Sequence, residues 1–151
     1  KGNEAIKKLP PVKAICHNDM DSKNVLWIGD EFKLIDLECL GYSNPYLELF
    51  ELALCWSGYE SCNIDFDLFN TFIKSYFDNT NLDTNVDWEA LYYSNNGRLG
   101  WLEYNIKRAL MLECDNEEEQ QLGISEVKET VEHIIYCDKV KDEILKNIAD
   151  Y

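Results

Sequence analysis

The apolar residues of this chain change their period near Gly41, and no single regular element accommodates both halves. Between Val12 and Ile35 they fall in short runs separated by polar turns, which is the pattern of strands. Residues 12–15 predict one strand. Residues 25–28 and 32–35 flank Gly29-Asp30-Glu31 and predict a hairpin with a glycine-bearing turn. Beyond Gly41 the spacing moves towards 3.6. Asn44-Pro45 predicts a helix start, because the Asn side chain accepts from free first-turn amides and proline fits the first helical position. That helix is expected to run to Ser57, with Gly58 as its stop. A second helix over 65–77 carries Phe66, Phe69, Phe72, Ile73, Tyr76 and Phe77 as one buried stripe. Residues 78–84 read as a loop, and Asp87 opens a helix with Trp88, Leu91 and Tyr92 that breaks near Asn96-Gly97. Further helices are predicted over 99–112 and from Ser125 onward, with the acidic stretch 115–121 as a solvated connection. The predicted fold class is α+β, mostly helical, with a small β-hairpin region ahead of a helical body.

A chain of 151 residues has room for one ordinary domain with a real core. Its 29 acidic side chains against 14 basic ones leave a formal charge of -15, which repels nucleic acid and anionic membranes and attracts cations. No apolar run approaches the ~20 residues of a membrane span. The six cysteines include no Cys-x-x-Cys pair, and most sit in apolar stretches such as Ala53-Leu54-Cys55-Trp56. The expectation is a cytoplasmic protein with free thiols, binding neither nucleic acid nor membrane. His133 and Cys137, four residues apart on one helix, fit a packed helix face better than half of a metal site.

Chemistry-bearing residues concentrate where the period changes. An apolar run leads into Cys16-His17-Asn18-Asp19, Asn24 follows five residues after Asp19, and Asp36 stands at the end of the hairpin. Asp19, Asn24 and Asp36 are oxygen donors near one end of a short sheet. Hard divalent ions take oxygen ligands and leave positions for substrate phosphates. A carboxylate not tied to metal can accept a proton from a hydroxyl nucleophile.

His17-x-Asp19-x-x-x-x-Asn24 followed by Asp36 resembles the catalytic loop and metal-binding Asp of protein-kinase-like phosphotransferases. With Ile35-Asp36-Leu37-Glu38 and Gly41-Tyr42-Ser43-Asn44-Pro45-Tyr46-Leu47-Glu48-Leu49, the chain is similar to the aminoglycoside phosphotransferase and choline kinase family over residues 15–56. The resemblance implies a protein-kinase-like C-terminal lobe over 1–151, with a catalytic and metal-binding segment at 12–40 and a helical subdomain at 44–150. It implies ATP or another nucleoside triphosphate and Mg²⁺ as cofactors, and a hydroxyl-bearing, cationic small molecule as acceptor. Asp19 is the implied catalytic carboxylate, supported by His17, with Asn24 and Asp36 as metal ligands. Asp21, Glu38 and Glu48 are positioned to face the acceptor. The chain departs from the family pattern at Asn18, where glycine is frequent, at Asn44 in place of Asp, and at Glu48 in place of Asp. Fewer than twenty residues precede His17, and neither a glycine-rich phosphate loop nor a Val-Ala-x-Lys strand is present. The N-terminal nucleotide lobe is therefore expected elsewhere in a longer protein, and this piece alone is expected to bind nucleotide weakly and transfer negligible phosphate. The rival reading is a catalytically silent kinase-like module used for binding or regulation.

Overall fold

The computed structural model describes residues 2–95 and 97–149. The chain is α+β and mostly helical, with two small antiparallel sheets. A short helix α1 (Gly2–Ala5) precedes β1 (Ala14–Cys16). The hairpin is β2 (Val25–Ile28) and β3 (Glu31–Leu34), in register Val25 with Leu34 and Ile28 with Glu31. Its turn is Gly29-Asp30, and Gly29 stands at φ +63°, where a side chain is strained. One pleat face carries Val25, Trp27, Phe32 and Leu34, and only Val25 of these is buried.

The second sheet joins β1 to β4 (Gly41–Ser43), with Ala14 opposite Ser43 and Cys16 opposite Gly41. Three residues carry too little period to announce a strand, so β4 leaves no local signal in the sequence. The pairing is consequential, because it brings the end of β1 against the residues that enter the first long helix.

That helix, α2 (Pro45–Trp56), starts as expected: the Asn44 side chain accepts from the Tyr46 amide at 3.0 Å, with Pro45 at the first position. Gly58, at φ +86°, ends the segment, and a Cβ there would lie 2.6 Å from the Asn63 carbonyl oxygen. Next come α3 (Phe66–Asp78), capped by Asp65, and α4 (Trp88–Ser94), capped by Asp87. The core gathers Tyr46, Leu49, Phe50 and Leu54 of α2 with Phe69 and Ile73 of α3, Leu91 of α4 and the end of the last helix, α6. Full burial of an aliphatic or aromatic side chain is worth about 1.5–3 kcal/mol, so α2, which contributes more of these residues than any other element, anchors the body.

Two helix boundaries differ from expectation. α5 (Gly97–Ala109) stops three residues early. Met111 adopts φ +57°, and the amides of Met111 and Leu112 bond back to the Arg108 and Lys107 carbonyls at 2.9 and 2.8 Å. That is a Schellman stop with methionine where glycine is usual, so no glycine announces it. The final helix α6 (Glu117–Ile148) begins eight residues before Ser125, under an Asn116 cap. The acidic stretch read as a connection is its first turn, where Glu117, Glu118 and Glu119 face the positive end of the helix dipole.

Candidate active site

β1 delivers His17 and Asp19 into a loop that closes through a single 3₁₀ turn, Ser22–Asn24, capped by the Asp21 side chain. The Asn24 amide nitrogen donates to the Asp19 carbonyl at 2.8 Å and to the Asp19 carboxylate at 3.1 Å. Asn24 is buried, and its backbone carbonyl accepts from the Ile35 amide at 3.0 Å. His17 Nε2 lies 3.1 Å from the Ile35 carbonyl. A carbonyl only accepts, so Nε2 carries the proton. Nδ1 of His17 is buried without a hydrogen-bond partner among the described residues. Ile35 is thus held on both sides, by Asn24 and by His17, and Asp36 follows it at φ +58°, an uncommon conformation outside glycine. The loop carrying Asp19 and the segment carrying Asp36 are fastened to each other by the Ile35–Asn24 backbone bond and by the His17 side chain.

Helix α2 clamps the loop on either side of Asp19. Glu48 Oε1 accepts from the Asn18 amide at 2.7 Å, and Trp56 Nε1 donates to the Met20 carbonyl at 3.1 Å. Glu48 therefore reaches the loop. The Asn18 side chain ties the loop to the second sheet, donating to the Cys39 carbonyl at 2.9 Å and accepting from Ser43 Oγ at 2.6 Å.

In front of Asp19 lies a cavity of about 480 Å³ lined by five carboxylates: Asp19, Asp21, Glu48, Glu51 and Glu60. Asp19 and Asp21, predicted from sequence, stand in this wall with Glu48. His17 and Asn24 lie behind it. Asp36 and Glu38 are exposed and outside its lining. Glu51 and Glu60 were not anticipated. Glu51 follows Glu48 by three residues, and Leu52 and Cys55 continue the same helical face into the cavity. That spacing is visible in the sequence once the Asn44-Pro45 start is accepted. Trp56, eight residues beyond Glu48, falls within reach of the same loop.

The cavity's electrostatics follow from that crowding. Partial desolvation against the cavity wall, then the charges of Glu48 and Asp19, push the Glu51 carboxyl up from its ordinary value. Burial pushes the Cys55 thiol up, and Asp21 and Glu51 add to the effect while Arg98 and Lys23 oppose it. Cys55 is therefore a thiol and a poor nucleophile. Lys23 lies 3.7 Å from Asp21, and Arg98 pairs with Glu60.

Asn24 and Asp36 have the right donor chemistry for a hard divalent ion. Asn24 spends its amide hydrogens on Asp19, which orients the amide and leaves Oδ1 as its ligating group; Asp36 offers an exposed carboxylate. Among the described residues no group of three or more His, Cys, Asp or Glu is arranged to hold a metal. An ion on Asn24 and Asp36 would complete its shell from phosphate and water, as Mg²⁺ commonly does. Among the same residues no helix is long and apolar enough to cross a membrane. Comparison of the chain with family models, with curated proteins and with solved structures found no match.

Proposed function

We propose that this chain is the C-terminal lobe of an ATP-dependent small-molecule O-phosphotransferase of the aminoglycoside phosphotransferase and choline kinase type. The observation that carries the reading is the Asn24 amide bridging the backbone and the carboxylate of Asp19, with Ile35 fastened to the same residue and Asp36 next to it. The base then stands in the wall of an acidic cavity, with Asn24 behind it and Asp36 on the segment tied to Asn24. In the reaction, the acceptor hydroxyl attacks the γ-phosphorus in line, the new O–P bond forms as the bond to the diphosphate leaving group breaks, and the hydroxyl proton passes to Asp19. Asn24 donates to one carboxylate oxygen of Asp19 and leaves the other for the hydroxyl. Mg²⁺ held by Asn24 and Asp36 would neutralise charge on the phosphates. His17 supports the loop from behind through Ile35. The carboxylates of the cavity suit an amine-bearing acceptor, and the uncovered face of Trp27, Phe32 and Leu34 suits packing against a nucleotide lobe.

Titration of the full-length protein with ATP, in the presence and absence of Mg²⁺, tests the nucleotide half of this reading. Mg²⁺-dependent binding that weakens about tenfold or more in Asp36→Ala is expected. Binding that is absent at millimolar nucleotide, or indifferent to Mg²⁺, would favour a silent module instead.

A further inference from the structure

We infer that the acceptor is an amphipathic amine, with its cationic end in the carboxylate cavity and an aromatic or aliphatic body in a second cavity beside it. The reaction in which it serves rests on the phosphotransferase reading; the ligand chemistry rests on the cavities alone.

The second cavity has a volume of about 350 Å³; Leu54, Tyr59, Tyr92, Tyr93, Leu99 and Ile134 form half of its wall, and Asn95, Arg98, Cys137 and Asp138 stand among them beyond the shared carboxylates. Glu51 and Glu60 line both spaces, so the two adjoin along that pair. Each alone is near the small end of ligand sites, which run from roughly 300 to 1,000 Å³; together they suit one extended ligand.

The boundary selects for charge. Glu60 is engaged by Arg98, Glu48 by the Asn18 amide, and Asp19 by Asn24. Glu51 has no ion-pair partner among the described residues, and its neighbours Glu48 and Asp19 disfavour its ionised form. An ammonium at the boundary relieves that crowding. Beyond the boundary the tyrosine and leucine wall rewards apolar surface. A densely hydroxylated body would leave the leucine, isoleucine and tyrosine faces of that wall without apolar contact, so the wall favours a body with an apolar side.

Calorimetry on the full-length protein, without nucleotide, tests this with three probes. 4-Phenylbutylamine carries both features, butylamine only the charge, and 4-phenylbutanol only the body. 4-Phenylbutylamine is expected to bind about tenfold or more tightly than either of the others. Glu51→Gln should weaken both amines and leave the alcohol's affinity as it was. Leu99→Arg should erase the advantage of 4-phenylbutylamine over butylamine. Both positions are exposed, and circular dichroism checks that the fold is kept. The inference is overturned if the two amines bind alike, if the alcohol matches 4-phenylbutylamine, if none of the three binds, or if the advantage survives in Leu99→Arg. No phosphate moves in this experiment. Binding without turnover would therefore count against the transfer chemistry alone, and turnover of hydroxylated polyamines without this preference would count against the amphipathic acceptor alone.

Discussion

Asn18 adopts φ +62° immediately before Asp19, a conformation that asparagine tolerates better than other residues with a side chain. Its side chain adds a brace: bonds to the Cys16 and Cys39 carbonyls and from Ser43 Oγ. Two substitutions separate conformation from bracing. Asn18→Gly keeps the backbone and loses the bonds, which should cost about 1–2 kcal/mol in urea unfolding. Asn18→Ala loses the bonds and must also hold the left-handed conformation, adding about 1 kcal/mol. Equal costs would show that the backbone conformation carries no strain. A second residue-scale argument concerns His133. Its Nε2 lies 2.9 Å from the Tyr59 carbonyl and so carries the proton, leaving Nδ1 to accept from the Cys137 thiol at 3.2 Å. The pair is bonded as a packed helix face. Burial first, then the charge of Arg98, holds the His133 imidazole below its ordinary 6.5. The folded state thus binds fewer protons than the unfolded one. The contribution to stability is complete above 6.5 and is lost as pH falls below it. Thermal unfolding between pH 7.5 and 5.5 should show a shallower acid decline in His133→Gln than in the native chain. An unchanged slope would contradict the account.

At the scale of elements, α5 and α6 show how packing overrides propensity. Gly123 lies inside α6, where alanine is intrinsically better by about 1 kcal/mol. Yet a Cβ at this position would meet the Ala109 nitrogen and Arg108 Cβ at 2.8 Å. Overpacking of this kind costs about 1–3 kcal/mol, and one of the contacts is backbone that cannot step aside. Gly123→Ala should therefore destabilise the protein, read as a lower urea midpoint; a higher midpoint would mean that the helices have room to separate. The same glycine explains why the start of α6 is hard to read. A glycine among acidic residues looks like a connection when the helix that needs the close approach is unknown. Helices with side-chain signals were legible: Asn44-Pro45, Asp65 and Asp87 each mark a start that the structure places there. β4 was not, because its pairing with β1 lies 27 residues away in sequence and leaves no local period. At the site, spacing alone brought out Asp19, Asn24 and Asp36. Glu51, Glu60 and Trp56 needed the helix to be wound before they faced the loop.

Across the whole molecule, the formal charge of -15 acquires a location. Five of the acidic side chains converge on one cavity beside the loop that α2 clamps at Asn18 and Met20. The apolar counterpart is the hairpin, whose exposed Trp27 and Phe32 pair at 5.7 Å on a face that the described residues leave uncovered. A two-stranded ribbon is marginal in water by itself, and the proposed nucleotide lobe would cover this face. Asp19 stands half-buried between Asn24 and the cavity, and in the proposed reaction it takes the acceptor's proton. Asp19→Asn preserves shape and the bond with Asn24 while removing basicity. The decisive measurement is transfer of labelled γ-phosphate from ATP across a panel of amine-bearing alcohols, comparing the full-length protein with that variant. Mg²⁺-dependent transfer by the native protein is expected, with a loss of about 10³-fold in the variant and an unchanged melting temperature. Transfer by the variant within tenfold of the native rate would contradict it.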